Sequence, residues 1–134
     1  MDAQLISGPA VRAWLDAFGR AWSERDPSLV VALFTHDARF QQRRFRQPLS
    51  GRDAIERHWE TMVRGQQRDV DVSYELLAVR GEHAYVHWRG AFTWLPISRT
   101  IEVDAIARVG FSHLPGEYGL LAAAWDEWLE LREH

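Results

Sequence analysis

The sequence predicts an α+β domain in which three N-terminal helices pack on a strongly curved, mainly antiparallel sheet, forming a cone with an internal pocket. Three observations carry this expectation. Up to about Gly65 the apolar residues recur at helical spacing, and from about Val70 onward they alternate. The strands so defined are overlong: twelve residues at ~3.3 Å span roughly 40 Å. A compact chain of 134 residues has a radius of gyration of only about 14 Å, so a flat sheet would overhang its own domain and the sheet has to bend. The helical segments also precede all the long strands, which lets them cover one face of the sheet together.

The elements follow in order. Gly8-Pro9 can start a helix, because Pro9 at the first position loses no hydrogen bond. Val11, Trp14, Leu15, Phe18 and Trp22 then form one apolar stripe at i, i+3, i+4, i+7 and i+11. Asp26-Pro27 ends that helix and caps a short second one carrying Leu29, Val30, Leu33 and Phe34. Ala38 to Gln41 is a short strand, Gln42 to Pro48 a loop, and Ser50 with Asp53 a capping box for the third helix. Ile55, His58, Trp59, Met62 and Val63 share that helix's apolar face. Val70, Val72, Tyr74 and Leu76 alternate up to a turn at Arg80-Gly81-Glu82. A long strand follows with Ala84, Val86, Trp88, Gly90, Phe92 and Trp94 on one face, and Gly90 and Pro96 are the expected bulge sites. Ile101 to Phe111 is the next strand, His113 to Gly119 a loop, and Leu120 to Leu131 the last strand.

Composition narrows the function classes. With 46% hydrophobic and 26% charged residues the chain reads as a globular protein, and its length as one domain over residues 1–134. A net charge of −3 and a pI near 6.0 give no general attraction to nucleic acid or anionic lipid. No stretch approaches the ~20 apolar residues of a membrane helix, and the N-terminus lacks the basic-then-apolar layout of a signal peptide. The absence of cysteine excludes disulfides and thiolate chemistry and fits a cytoplasmic location. Every basic side chain is arginine and asparagine is absent, a bias expected of a GC-rich, bacterial genome. Seven tryptophans are enough to fill a small core and also line a pocket.

The runs Ala21-Trp22-Ser23-Glu24-Arg25-Asp26-Pro27 and Leu33-Phe34-Thr35-His36-Asp37-Ala38-Arg39-Phe40 resemble the opening of SnoaL-like proteins, members of the nuclear-transport-factor-2-like, cystatin-like α+β superfamily. Arg46 to Ile55 looks like the start of that family's third helix, and Gln67-Arg68-Asp69-Val70 and Trp125-Asp126-Glu127-Trp128 are similar to its later strands. The resemblance implies the cone fold. It leaves activity open, because the superfamily includes isomerases, dehydratases, cyclases, epoxide hydrolases and non-enzymatic binders.

In ketosteroid-isomerase-like members a tyrosine and an acid transfer the proton. The resemblance puts those roles at Phe18 and Gln42, which have no suitable proton to give or take, so that mechanism is excluded. Asp126 and Glu127 on the last strand are the acid–base candidates, since cyclase-like relatives place a catalytic acid on the sheet. One of the two has to face inward. Trp125 shares the face of Glu127, and Trp128 that of Asp126, so the pattern does not decide between them; Glu127 is the preferred choice. His58 is the candidate partner on the facing helix, against the alternative of a buried histidine with one hydrogen bond. The expected ligand pocket comprises Trp14, Phe18, Phe40, Trp59, Trp88, Trp94 and Trp128. No metal is expected: His83 and His87 are four apart on a strand, roughly 13 Å, too far to share an ion. No cofactor is expected either, as glycine-rich phosphate loops are absent. Arg39, Arg43, Arg44, Arg46 and Arg52 form a basic cluster, an anion clamp or a solvated loop, and Asp104 is expected on the outer face paired with an arginine.

Three functions stay open at this point. One is a cofactor-free acid–base enzyme of cyclase, isomerase or dehydratase type acting on an apolar or aromatic molecule. The second is a non-catalytic binder of such a ligand, and the third a dimerisation module. A homodimer through the open sheet face, with Tyr85, His87, Arg89, Asp104 and Ile106, fits all three.

Overall fold

The computed structural model describes residues 6–42 and 45–134. Helices α1 (Gly8–Ser23), α2 (Pro27–Val31) and α3 (Arg52–His58) cover one face of a six-stranded sheet, and α3 runs directly into a π-helical turn, Trp59–Arg64. The strands are β1 (Phe34–Gln41), β2 (Leu49–Ser50), β3 (Gln67–Arg80), β4 (His83–Trp94), β5 (Arg99–Gly116) and β6 (Gly119–Glu133), in the order β2-β1-β6-β5-β4-β3. All pairings are antiparallel except β1 with β6. The sheet curls without closing, so the helices and the sheet together make a cone.

The local signals work as chemistry requires at the first two helices. Ser7 caps α1 by accepting from the Ala10 N–H at 3.2 Å, and Asp26 caps α2 through the N–H groups of Ser28 and Leu29. The expected capping box at α3 does not form. Ser50 is taken into β2, and the cap is Gly51, whose φ of 92° admits the turn but leaves no side-chain oxygen for the helix. Helical apolar spacing continues past His58, but the backbone there widens into the π turn.

The bends also fall elsewhere than expected. The β4–β5 register runs unbroken past Gly90, while β3 shifts register between Arg68 and Asp71 and again between Leu76 and Ala78. Gly90 serves packing instead. A Cβ there would lie 3.0 Å from the indole of Trp22, which crosses over it and is held by Gln67 Oε1 at 2.9 Å. Beyond Phe111, β5 continues to Gly116 and turns back within two residues at Gly119 (φ 98°), so the expected His113–Gly119 loop is a tight hairpin.

Inside the cone the core is aromatic. Phe18 is its hub, with ring centroids 4.5 Å from Trp125, 5.3 Å from Trp88, 5.4 Å from Trp14 and 5.5 Å from Trp59. Phe40 stacks on the other side of Trp125 at 5.3 Å. The inner face of β5 offers Ala105 and Ala107 rather than bulky residues, which gives the indoles on β4 and β6 room above the sheet. Losing a ring such as Phe18 from this packing costs about 3–5 kcal/mol.

Candidate active site

The site is built by the way β6 passes β1. The last paired residue of β1 is Gln41, opposite Asp126, so from Glu127 onward β6 is bonded only to β5. Glu127 stands at that step on the inner face, opposite Ala107, and is 6% exposed. Its Oε1 accepts one hydrogen bond, 2.9 Å long, from the indole N–H of Trp125, two residues back on the same face. Among the described residues no cation lies against it. Burial therefore dominates and pushes its pKa up to about 7, only partly offset by the Trp125 bond.

Asp126 points the other way. It is 3% exposed, but on the outer face, where Arg39 approaches Oδ1 at 3.2 Å and Arg108 approaches Oδ2 at 3.4 Å. This corrects its candidacy as an interior acid. Among the described residues the carboxylate meets one guanidinium from β1 and one from β5, which pins these strands to β6. Trp128 shares that face, opposite Ile106, and is 44% exposed, so it does not line the interior. Trp94 is corrected as well: it sits half-buried at the end of β4, with Phe92 at 6.4 Å, outside the cluster around Phe18. Trp14, Phe18, Phe40, Trp59 and Trp88, expected to line a ligand pocket, are packed together in one buried core cluster: the rings of Trp14, Trp59 and Trp88 each contact Phe18, and that of Phe40 contacts Trp59.

His58 ends α3, partly buried, and burial lowers its pKa from the ordinary histidine value. No hydrogen bond joins it to Glu127. His87 lies on the outer face with Asp104 at 2.6 Å, and Arg89 reaches the same carboxylate at 3.9 Å. Among the described residues no group of three histidines or acids is arranged to hold a metal ion. Of the arginine cluster, Arg43 and Arg44 lie outside the described residues, and among the others Arg39 is paired with Asp126.

The tryptophans differ in how their N–H groups are used. Those of Trp14, Trp22 and Trp125 each donate at 2.9 Å, to Leu33 O, Gln67 Oε1 and Glu127 Oε1. Those of Trp59 and Trp88 are fully buried and have no acceptor. An unpaired buried donor costs about 1–3 kcal/mol.

The profile of the SnoaL-like domain matches residues 11–113 of this chain. The chain belongs to the SnoaL-like family. No curated protein matches it in sequence. Solved structures similar to this SnoaL-like chain include a type-2 hexachlorocyclohexane dehydrochlorinase, LinA, with a TM-score of 0.78 at 7% identity, covering 94% of this chain and 87% of the other. A protein from Novosphingobium aromaticivorans assigned as a scytalone dehydratase has a TM-score of 0.79 at 11% identity, covering 94% and 86%. SalBIII, an epoxide hydrolase/cyclase-like enzyme with a role in pyran ring formation in the polyether salinomycin, has a TM-score of 0.75 at 16% identity, covering 94% and 96%. At these identities the likeness shows the fold.

Sequence reasoning placed Trp125 on the face of Glu127 but gave it no role at the site, although it both stacks in the core and bonds the buried acid of this SnoaL-like chain. The signal was present: in a strand, a tryptophan two residues before a glutamate puts an N–H donor and a carboxylate on one face. Ala105 and Ala107 were a second signal, since small residues on a strand's inner face make room for large ones beside them.

Proposed function

We propose that the chain is a cofactor-independent enzyme of lyase, isomerase or cyclase type that moves a proton on a small apolar or aromatic molecule, with Glu127 carrying the proton. The observation behind this reading is a carboxyl group buried on the inner face of the sheet, held by the indole N–H of Trp125 and, among the described residues, facing no cation. A carboxyl with a pKa near 7 is present in both forms at neutral pH. It can take a proton in one step and return it in the next. Dehydrochlorination, dehydration and ring closure, the reactions in the names of the similar structures, all depend on removing or delivering a proton. Asp126, locked between Arg39 and Arg108, is structural in this reading, and because no bond joins His58 to Glu127 the transfer is assigned to Glu127 alone.

The test is exchange of the protons next to the carbonyl of 2-tetralone, followed by proton NMR in D2O. The protein should accelerate exchange, with a rate that rises with pH through about 7 as the carboxylate base forms. Glu127→Gln keeps the shape but removes the base, and should lose about 100-fold of that acceleration. A Gln variant as fast as wild type overturns the assignment, and a protein that binds the ketone without accelerating exchange is a binder.

The outer face favours a second proposal, a homodimer through the sheet. A groove of about 730 Å³ crosses it, with Asp71, Arg89, Asp104, Glu130 and Arg132 among its lining, and the exposed pair Ile106 and Trp128 adds apolar surface. Charges of both signs beside apolar groups suit a self-complementary, partly polar interface.

A further inference from the structure

We propose that Trp125 is a positioning residue: its indole N–H, fixed by rings on both faces, holds Oε1 of Glu127 and leaves Oε2 as the one oxygen that carries the proton. This inference rests on the proton-transfer reading of Glu127. The indole is 1% exposed and lies between Phe18, stacked at 4.5 Å with an interplanar angle of 20°, and Phe40, stacked at 5.3 Å and 9°. Phe18 comes from α1 and Phe40 from β1, so the direction of the N–H is set by the fold and not by the acid. Trp125 and Glu127 are two residues apart on a strand and share its inner face, which brings the N–H to Oε1 at 2.9 Å. A neutral acceptor satisfies an indole equally well, as Leu33 O does for Trp14 and Gln67 Oε1 for Trp22. A carboxyl costs more to bury than either, so the pairing points to a use for the acid.

The two oxygens of Glu127 are not equivalent. Among the described residues no hydrogen bond or ion pair other than that of Trp125 reaches the carboxyl. Oε2 is therefore without a partner, yet among these residues the only fully buried side-chain nitrogens or oxygens without one are the indole nitrogens of Trp59 and Trp88. The small exposed part of Glu127 thus includes Oε2, while Oε1 faces the indole. Across from it the inner face of β5 presents Ala105, Ala107 and Val109, none of which titrates. The charges of Asp126, Arg39 and Arg108 meet on the outer face, and His58, at the end of α3, makes no bond to the carboxyl. An indole N–H only donates. Either oxygen of a carboxylate can accept from it, but in the neutral acid the C=O oxygen is the better acceptor, because the O–H oxygen shares its lone pair with the carbonyl. The bond to Oε1 therefore persists in both states when the proton sits on Oε2. A proton leaving the substrate bonds to Oε2 while the electron pair of its old bond stays behind, and the same oxygen later returns it. The bond from Trp125 to the carboxylate is charge-assisted and opposes the rise in pKa that burial causes.

The experiment replaces Trp125 in the full-length protein with benzothienylalanine, which keeps the ring shape and puts sulfur where the N–H was. The infrared carbonyl band of the protonated Glu127 acid, identified by its loss in Glu127→Gln, should move to higher frequency, because a C=O that loses its donor is stiffer. The midpoint of the Glu127 carboxyl carbon should rise by about one pH unit, a tenfold gain in proton affinity. Exchange of 2-tetralone should lose about tenfold in kcat with KM unchanged. If the replaced protein does not fold, the wild type decides: the Trp125 indole proton, assigned by its contacts to Phe18 and Phe40, should move downfield with the same midpoint as the Glu127 carboxyl. An unmoved carbonyl band, an unmoved midpoint, or an indole proton that ignores the titration would overturn the proposal. Shifted band and midpoint with no exchange catalysed by the wild type keep the positioning of the carboxyl and remove the proton-transfer reading. Catalysed exchange with kcat unchanged on replacement removes the role of Trp125 and keeps that of Glu127.

Discussion

At the scale of single residues, the decisive contrast is between two adjacent acids. Asp126 and Glu127 are both buried, yet one meets two guanidinium groups and the other a single indole. Alternation made it legible that one of them faces inward, but not which. A tryptophan lies on each side, and the choice is fixed by partners distant in sequence: Phe40 and Phe18 claim Trp125 for the interior, and Arg39 claims Asp126 for the outside. The raised pKa of Glu127 has a consequence for stability. Its ordinary value is 4.5 and its folded value about 7, so between these the folded state holds more protons than the unfolded state. Stability from this group is therefore full below about pH 4.5 and lost as pH rises through about 7. The loss is roughly 3 kcal/mol. Urea unfolding of Glu127→Gln compared with wild type should show the variant more stable by an amount that grows from pH 5 to pH 8; a difference that does not change with pH would contradict it.

At the scale of elements, the period of α1, its start at Gly8-Pro9 and the Asp26 cap of α2 were readable because they depend on neighbours within a few residues, whereas Leu33 and Phe34, read as helical, lie beyond α2 and Phe34 opens β1. What failed depended on partners brought from elsewhere. Ser50 was drawn into a two-residue strand by Arg39, Gly90 was needed by Trp22, and the loop after His113 was shortened by pairing of Pro115 with Leu120. The outer sheet face is an element property as well. His87 and Arg89 on β4 answer Asp104 on β5, as Arg132 on β6 answers Glu102. If this face joins two copies, sedimentation at micromolar concentration should give a species of twice the 15.6 kDa chain mass. Ile106→Glu should return it to the monomer, because the change places a charge in the apolar part of the contact. A wild-type protein that sediments at 15.6 kDa throughout would refute the dimer.

At the scale of the whole molecule, a cone shared with structures only 7–16% identical is a shape that many sequences reach. That is why the order of motifs was enough to foresee the fold, while the reaction was not legible: the scaffold constrains where a site lies and not what it does. The cone gives this chain an aromatic interior between helices and sheet, with the Glu127 carboxyl at the step where β6 outruns β1. The central claim is that the interior makes Glu127 a proton carrier at neutral pH. Glutamate labelled with ¹³C at the side-chain carboxyl, with the Glu127 signal assigned through Glu127→Gln, measures it in the intact protein. The account predicts one carboxyl titrating with a midpoint near 7 and vanishing in the variant, and a Glu127 midpoint at the ordinary 4.5 would contradict it.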